Sequence, residues 1–217
     1  IADRVWSAQL ISTIYEVRCT EVSAEAEETR PSGQQCSPAA SFRSREEAVW
    51  AYIALQREYK KPIRLADADL QGMDLSGMDL SDADLKRATL NGAKLKGTWL
   101  ERADLYDANL EKAKLNDAHL ASANLKSAKL QGAQLEDADL QNAILEGTEL
   151  GICVEQEFED ASGEAHKDTN LKGAKLEGAV FIDTSMCGVD IRETNLSQVK
   201  NLTQEQLDVA RGGPETE

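Results

Sequence analysis

The sequence predicts an all-β solenoid, a chain that bends at regular intervals and keeps one face inward. Three observations carry that prediction. From Leu65 to Leu150 every fifth residue is leucine, eighteen in succession. Two residues before each leucine stands a small or medium side chain, thirteen times alanine, otherwise Ile63, Met73, Met78, Thr98 or Thr148. Two residues after the leucines fall Gly72, Gly77, Gly92, Gly97, Gly132 and Gly147, with Asp, Ser, Asn, Lys or Arg in most of the remaining places.

A period of five fits neither regular element. On a helix, five residues turn the chain by about 500°, so the leucines form no stripe. On a flat strand, side chains alternate, and leucines five apart face opposite ways. Alanine and leucine, two apart, share a face. The three-residue step from leucine to the next alanine keeps both inside only if the chain turns a corner. Glycine adopts corner angles cheaply, and Asp, Asn and Ser bond locally to turn backbone. Regular corners with a constant inner face wind a solenoid.

Ala68-Asp69-Leu70, Ala83-Asp84-Leu85, Ala103-Asp104-Leu105, Ala108-Asn109-Leu110 and Ala123-Asn124-Leu125 resemble the A-(D/N)-L-x-x signature of pentapeptide-repeat proteins. The resemblance covers about 63–150 and resumes at 169–198. It implies a right-handed quadrilateral β-helix with four repeats per square coil. Residues twenty apart then stack, about 4.8 Å from one another.

The ladder resumes as Leu171, Leu176, Phe181, Met186, Ile191 and Leu196. The step from Leu150 to Leu171 is twenty-one residues, not a multiple of five. Either a coil carries one extra residue or a polar loop of sixteen interrupts the winding; because the acidic stretch Glu155–Asp168 has no fifth-position leucine, the loop is the expectation, near 152–168. About six coils follow, a tower roughly 25–30 Å tall.

Open coil ends expose core and unpaired backbone and need covers. The expected N-terminal cover is a helix from about Arg45 to Lys60. Ser44 and Glu47 form its capping box; Ala48, Val49, Tyr52, Ile53, Leu55 and Tyr59 form its apolar face; Pro62 ends it. A second amphipathic segment, Asp3 to Val17, is expected to pack on it. A short C-terminal helix is expected at Thr203 to Arg211, with Thr203 and Gln206 as its capping box and Gly212 and Pro214 beyond it. The organisation is then a helical extension and cap over 1–61, the β-helix over 62–199, and a capping helix and tail over 200–217.

The net charge is −15. Residues 1–62 carry −1, 63–150 carry −6 and 151–217 carry −8. This acidity argues against binding nucleic acid or an anionic membrane; its simplest role is solubility for a tower with four exposed sides. No run reaches the eighteen apolar residues of a membrane span. Residue 1 is isoleucine, which leaves room for a signal or membrane tether upstream of Ile1.

Four cysteines allow three pairings. Cys19–Cys36 with Cys153–Cys187 is the arrangement that staples both irregular regions, and it implies an oxidising compartment, periplasmic, lumenal or membrane-tethered. Four unpaired thiols in a cytosolic protein are the alternative.

Little in the chain suits catalysis. The two histidines, His119 and His166, lie far apart, and no phosphate loop, zinc-type cysteine pair or nucleophile motif occurs. No enzyme activity, cofactor or metal is expected. Stacking at twenty gives outward columns: Asp79, Trp99, His119, Asp139 in one; Ala66, Lys86, Tyr106, Lys126, Glu146 in another; Asp67, Arg87, Asp107, Ser127 at a corner. Alternating charges suit ladder pairing. Tyr106 between Lys86 and Lys126 is placed for cation–π contacts. Trp99 is expected to point outward above His119, a recognition spot for a protein partner or a ring lying flat on its neighbours. Two ligands, His119 and Asp139, are too few for a metal.

The leading expectation is a scaffold or adaptor for a protein partner. Resemblance adds a second reading, since some family members are DNA mimics that modulate DNA gyrase. Continuous same-sign stripes would serve a mimic, whereas here Lys94 stacks on Lys114 and Arg87 and Arg102 interrupt acidic columns. Those members also dimerise through a C-terminal helix, and the helix here is short and polar-ended. A structural subunit of a membrane-associated assembly is the third reading.

Overall fold

The structure is a computed structural model describing residues 45–151 and 169–210. The expected segment Asp3–Val17, the cap at Ser44, the loop Glu155–Asp168, and Cys19, Cys36, Cys153 and His166 lie outside the described residues. Among those described, two helices flank a stack of parallel β-bridges. These are α1 (Arg45–Glu58) and α2 (Gln204–Asp208).

The bridges pair residues twenty apart. One column runs Arg64, Asp84, Asp104, Asn124, Ile144, Val180 and Lys200. Three others begin at Asp69, Asp74 and Asp79, giving the four sides of a square. Up to Glu149 the step is constant. Across the interruption Gln134 pairs with Asn170, Asp139 with Lys175, Ile144 with Val180 and Glu149 with Ser185, each thirty-six apart. The step therefore grows by sixteen, and Leu171 takes the place that residue 155 would have held. The winding resumes in phase, with no coil carrying a stray residue.

All eighteen leucines are buried at 1% exposure or less, as are Leu171, Leu176, Phe181 and Met186. The inner alanines lie between them. Where threonine replaces alanine inside, its hydroxyl finds a carbonyl. Thr98 Oγ1 donates to the Leu75 carbonyl at 2.9 Å, Thr148 to that of Leu125 at 2.8 Å, and Thr184 to that of Leu145 at 2.6 Å. A buried hydroxyl without a partner would cost about 1–3 kcal/mol.

Backbone bonding explains the signature. In most repeats the N–H groups of the leucine and of the residue two after it reach the coil ahead, while the N–H before the leucine reaches the coil behind, as in Leu85 to Asp104, Arg87 to Tyr106 and Asp84 to Ile63. The N–H one residue after the leucine is left over. Asp or Asn before the leucine accepts it: Asp79 Oδ1 from Ser81 at 3.0 Å, Asn109 Oδ1 from Glu111 at 3.0 Å, Asn170 Oδ1 from Lys172 at 2.9 Å. The Asp/Asn preference thus follows from one unpaired donor per repeat. Corners two after the leucine take left-handed angles whatever their residue, φ +66° at Gly92 and φ +54° at Arg87.

Helix α1 covers the first coil. Glu46 and Glu47 in its first turn and Arg57 in its last complement the helix dipole. It stops earlier than expected, at Glu58. Lys60 turns left-handed (φ +51°), and the Lys61 N–H reaches back to the Gln56 carbonyl at 2.8 Å, closing a Schellman end without glycine. Ala48, Val49, Tyr52 and Ile53 face the core as expected. Tyr59 does not: it is 44% exposed, with Lys61 Nζ 5.7 Å from its ring centre. Leu55 is only partly buried, and Gln56 takes the inner place instead.

Helix α1 also supplies what a preceding coil would have supplied. Tyr52 serves the backbone of Arg64, Arg45 donates to the Gln71 carbonyl at 3.0 Å, and Trp50 Nε1 donates to that of Asp74 at 2.8 Å. Arg57 Nε donates to the Asp79 carbonyl at 2.9 Å, and its Nη2 to Ser81. All four sides of the open square are met by side chains of one helix.

At the far end α2 is shorter than the expected Thr203–Arg211, but its capping box forms. Gln206 N–H donates to Thr203 Oγ1 at 3.2 Å and the Thr203 N–H to Gln206 Oε1 at 2.8 Å. Gln206 Nε2 also holds the carbonyls of Phe181 and Thr184. Among the described residues no helix is long and apolar enough to cross a membrane.

Candidate protein-binding face

The column Asp79, Trp99, His119, Asp139 is formed as the twenty-residue rule predicts, and Lys175 extends it. Trp99 stands immediately before Leu100, so its side chain points out while the leucine fills the core. It is 45% exposed. Its ring lies over that of His119, centroids 4.1 Å apart and planes 19° from parallel. The two expectations for Trp99 merge: the indole is flat on a neighbour and still nearly half exposed.

The ends of the column differ. Asp79 is engaged by α1, with Arg57 Nη2 2.9 Å from its carboxylate. Asp139 accepts the Gln141 N–H at 3.1 Å and, among the described residues, pairs with no cation. On the same side, two residues beyond His119, position 121 carries a small half-buried alanine.

Neighbouring columns carry the expected charge ladders. Arg87 grips Asp67 through two bonds of 2.7 Å, and Arg102 grips Asp82 in the same way. Hydrogen bonding from Arg87 holds the Asp67 carboxyl below its ordinary range, and that from Arg102 does so for Asp82. Both pairs are exposed, and such pairs contribute little to stability. The cation–π arrangement expected at Tyr106 is not what Lys86 and Lys126 adopt. Lys86 Nζ sits 2.8 Å from Asp104 and Lys126 Nζ 2.8 Å from Glu146, because a carboxylate one coil away offers a stronger partner than a ring. Tyr106 is 38% exposed and belongs to a different side of the square from Trp99, so the two do not form one spot.

Sequence reasoning missed Ile144, Val180 and Ile182, apolar residues at outward positions near the far end of the Tyr106 side. Their signal was present as breaks in the polar filling. Among the described residues no cluster of three metal-binding side chains occurs. Cys187 lies at the neck of the interruption, its carbonyl against Gly151, and is engaged rather than a free thiol.

The family profile described as Pentapeptide repeats matches residues 63–102, 103–142 and 167–200, more than half of the sequence. The chain belongs to the pentapeptide-repeat family. Its fold is that family's right-handed quadrilateral β-helix, and the family is generally one of non-enzymatic structural repeat proteins. Three solved pentapeptide-repeat structures are similar to this member. One from the Arabidopsis thaliana thylakoid lumen is 25% identical over 70% of this chain and 83% of its own, with a TM-score of 0.37. Rfr23 from the cyanobacterium Cyanothece 51142 is 23% identical over 70% of this chain and 98% of its own, TM-score 0.39. A protein from Nostoc Pcc 7120 is 37% identical over 58% of this chain and 93% of its own, TM-score 0.39. No curated protein matches the chain.

Proposed function

We propose that this pentapeptide-repeat protein is a non-enzymatic scaffold whose Trp99 side captures a protein partner. The supporting observation is the Trp99–His119 stack, a rigid aromatic step 45% exposed at the indole on a wall otherwise faced with polar groups. Aromatic residues anchor interfaces because they bury much area at little entropic cost. A ring already held flat by its neighbour loses less freedom still on binding. Segment 1–61 is the docking or tethering element in this reading, 62–199 the β-helix and 200–217 the far cover. Cys19–Cys36 and Cys153–Cys187 staple the two irregular regions in an oxidising, lumenal or periplasmic setting.

A duplex mimic receives less support. Arg87 and Arg102 neutralise Asp67 and Asp82 in place, and Lys94 stacks on Lys114, so no side presents an unbroken anionic stripe. The test is photo-crosslinking in extract from the native source. A crosslinker at position 121 beside the ring pair should capture a defined partner, lost in Trp99→Ala. The same crosslinker at position 116, on the next side, should not. Equal capture from both positions would refute the reading.

A further inference from the structure

The ring pair stands on the most acidic side of the tower. Carboxylates at Asp79, Asp82, Glu101, Asp139 and Glu177 face two cations, Arg102 and Lys175. The neighbouring side that carries Lys94 and Lys114 is near balance, with five cations against six carboxylates. The protein's own arginines already occupy the upper carboxylates: Arg57 reaches Asp79 from helix α1, and Arg102 holds Asp82 while lying 3.7 Å from Glu101. Each is a guanidinium laid against this wall, bonded to a carboxylate or to a carbonyl. The next carboxylate down, Asp139, has no such visitor. It is the bridge neighbour of His119 on one side and of Lys175 on the other, with no ion pair to Lys175, and the His119 ring is covered by Trp99 on the side away from Asp139.

We propose that the Trp99–His119 step and Asp139 form a binding site for an arginine side chain on a basic segment of a partner protein. This rests on the reading of the Trp99 side as the partner-binding side, and names the chemistry of the occupant. A guanidinium is planar, stacks on aromatic rings and pairs with carboxylates by a two-pronged fork. An aromatic slab beside an unspent carboxylate on an acidic wall meets each of those properties. A lysine meets only the charge.

The test uses the full, isotope-labelled chain and a blocked nine-residue Gly/Ser peptide carrying three arginines. Its control is the same peptide with citrulline, which keeps the shape and loses the charge. The expected result is a saturable shift of the Trp99 indole N–H, weakened by salt and absent with citrulline. Asp139→Asn keeps an oxygen for the Gln141 N–H and so keeps the fold. It should weaken arginine binding by about two- to fivefold, the range of an exposed ion pair. Equal binding of the citrulline peptide, unchanged affinity in Asp139→Asn, or equal shifts around Lys94 and Lys114 would overturn the proposal. The two readings fail separately. Partner capture that depends on Trp99 without arginine binding removes this inference alone. Arginine binding with capture indifferent to Trp99 removes the functional reading alone.

Discussion

Tyr52 and Arg64 hold one another by a two-way hydrogen bond: the Arg64 N–H donates to Tyr52 Oη at 2.9 Å, and the Tyr52 O–H donates to the Arg64 carbonyl at 3.3 Å. The helix thereby does for Arg64 what Ile63 and Leu65 do for Asp84 one coil on, the Ile63 carbonyl accepting the Asp84 N–H and the Leu65 N–H donating to the Asp84 carbonyl. Burial raises the Tyr52 pKa, so the phenol stays a donor to high pH. Tyr52→Phe should cost about 1–3 kcal/mol, because both backbone groups of Arg64 lose their partner. Denaturant unfolding should show it with an unchanged slope. A loss below a few tenths would mean that water replaces the phenol there.

The sixteen-residue growth of the bridge step makes a length prediction. Deleting residues 152–167 joins Gly151 to Asp168 and keeps every later leucine inside. Deleting fifteen turns each later leucine one position out of phase. Under reducing conditions, to set the cysteines aside, the first deletion should unfold in one transition near that of the parent. The second should lose the part after the junction. Two deletions of similar behaviour would show that the register is not set across the interruption.

Gly151 is required for a different reason from the corner glycines. A Cβ there would stand 1.8 Å from the Cys187 carbonyl oxygen, a backbone atom that cannot step aside. At Gly92 a Cβ meets nothing within 4 Å, and only the left-handed angle resists it, at about 1 kcal/mol. Gly151→Ala should therefore lower the melting temperature more than Gly92→Ala. The reverse order would contradict the close approach at the neck.

The ion pairs predict acid behaviour. Hydrogen bonds from Arg87, Arg102 and Arg192 lower the pKa values of Asp67, Asp82 and Asp190 in the folded chain. A lowered folded value means the stabilisation is complete above the ordinary carboxylate range, about 4, and fades as pH falls through the lowered values. The melting temperature at low salt should drop below that range, and Arg87→Gln with Arg102→Gln should flatten the drop by a few degrees. An identical acid limb in the double variant would refute this role.

Cys187 is not a free thiol, and Gly151 brings the chain to it two residues before Cys153. Pairing Cys153 with Cys187 is the expected staple, with Cys19–Cys36 as the second. Thiol titration of the unreduced native chain should find none of the four free. Reduction should cost about 3–4 kcal/mol for a loop of this size. Four titrating thiols would exclude both bridges.

The leucine ladder made the tower legible because period five admits few solutions, and stacking at twenty then placed Trp99 over His119. What escaped lay in groups that periodicity does not report. The leftover N–H that explains Asp69 or Asn109 is a backbone property. The inward turn of Gln56 and the outward turn of Tyr59 depend on where α1 crosses the square. Lys86 chose Asp104 over Tyr106 because competition between partners depends on distances that a column cannot supply.

The buried hydroxyls have a larger meaning. With leucine and alanine filling most inner places, neighbouring coils offer one another nearly the same interior, and the exceptions fall at a few places such as Met73, Thr98, Thr148 and Phe181. Thr98, Thr148 and Thr184 each tie an inner place to a leucine carbonyl of the preceding coil, and Tyr52, Trp50 and Arg57 bond to the backbone of the first coil. With α1 holding the carbonyls of Arg64, Gln71, Asp74, Asp79 and Ser81, the first coil keeps little open edge on which a second tower could add its own backbone.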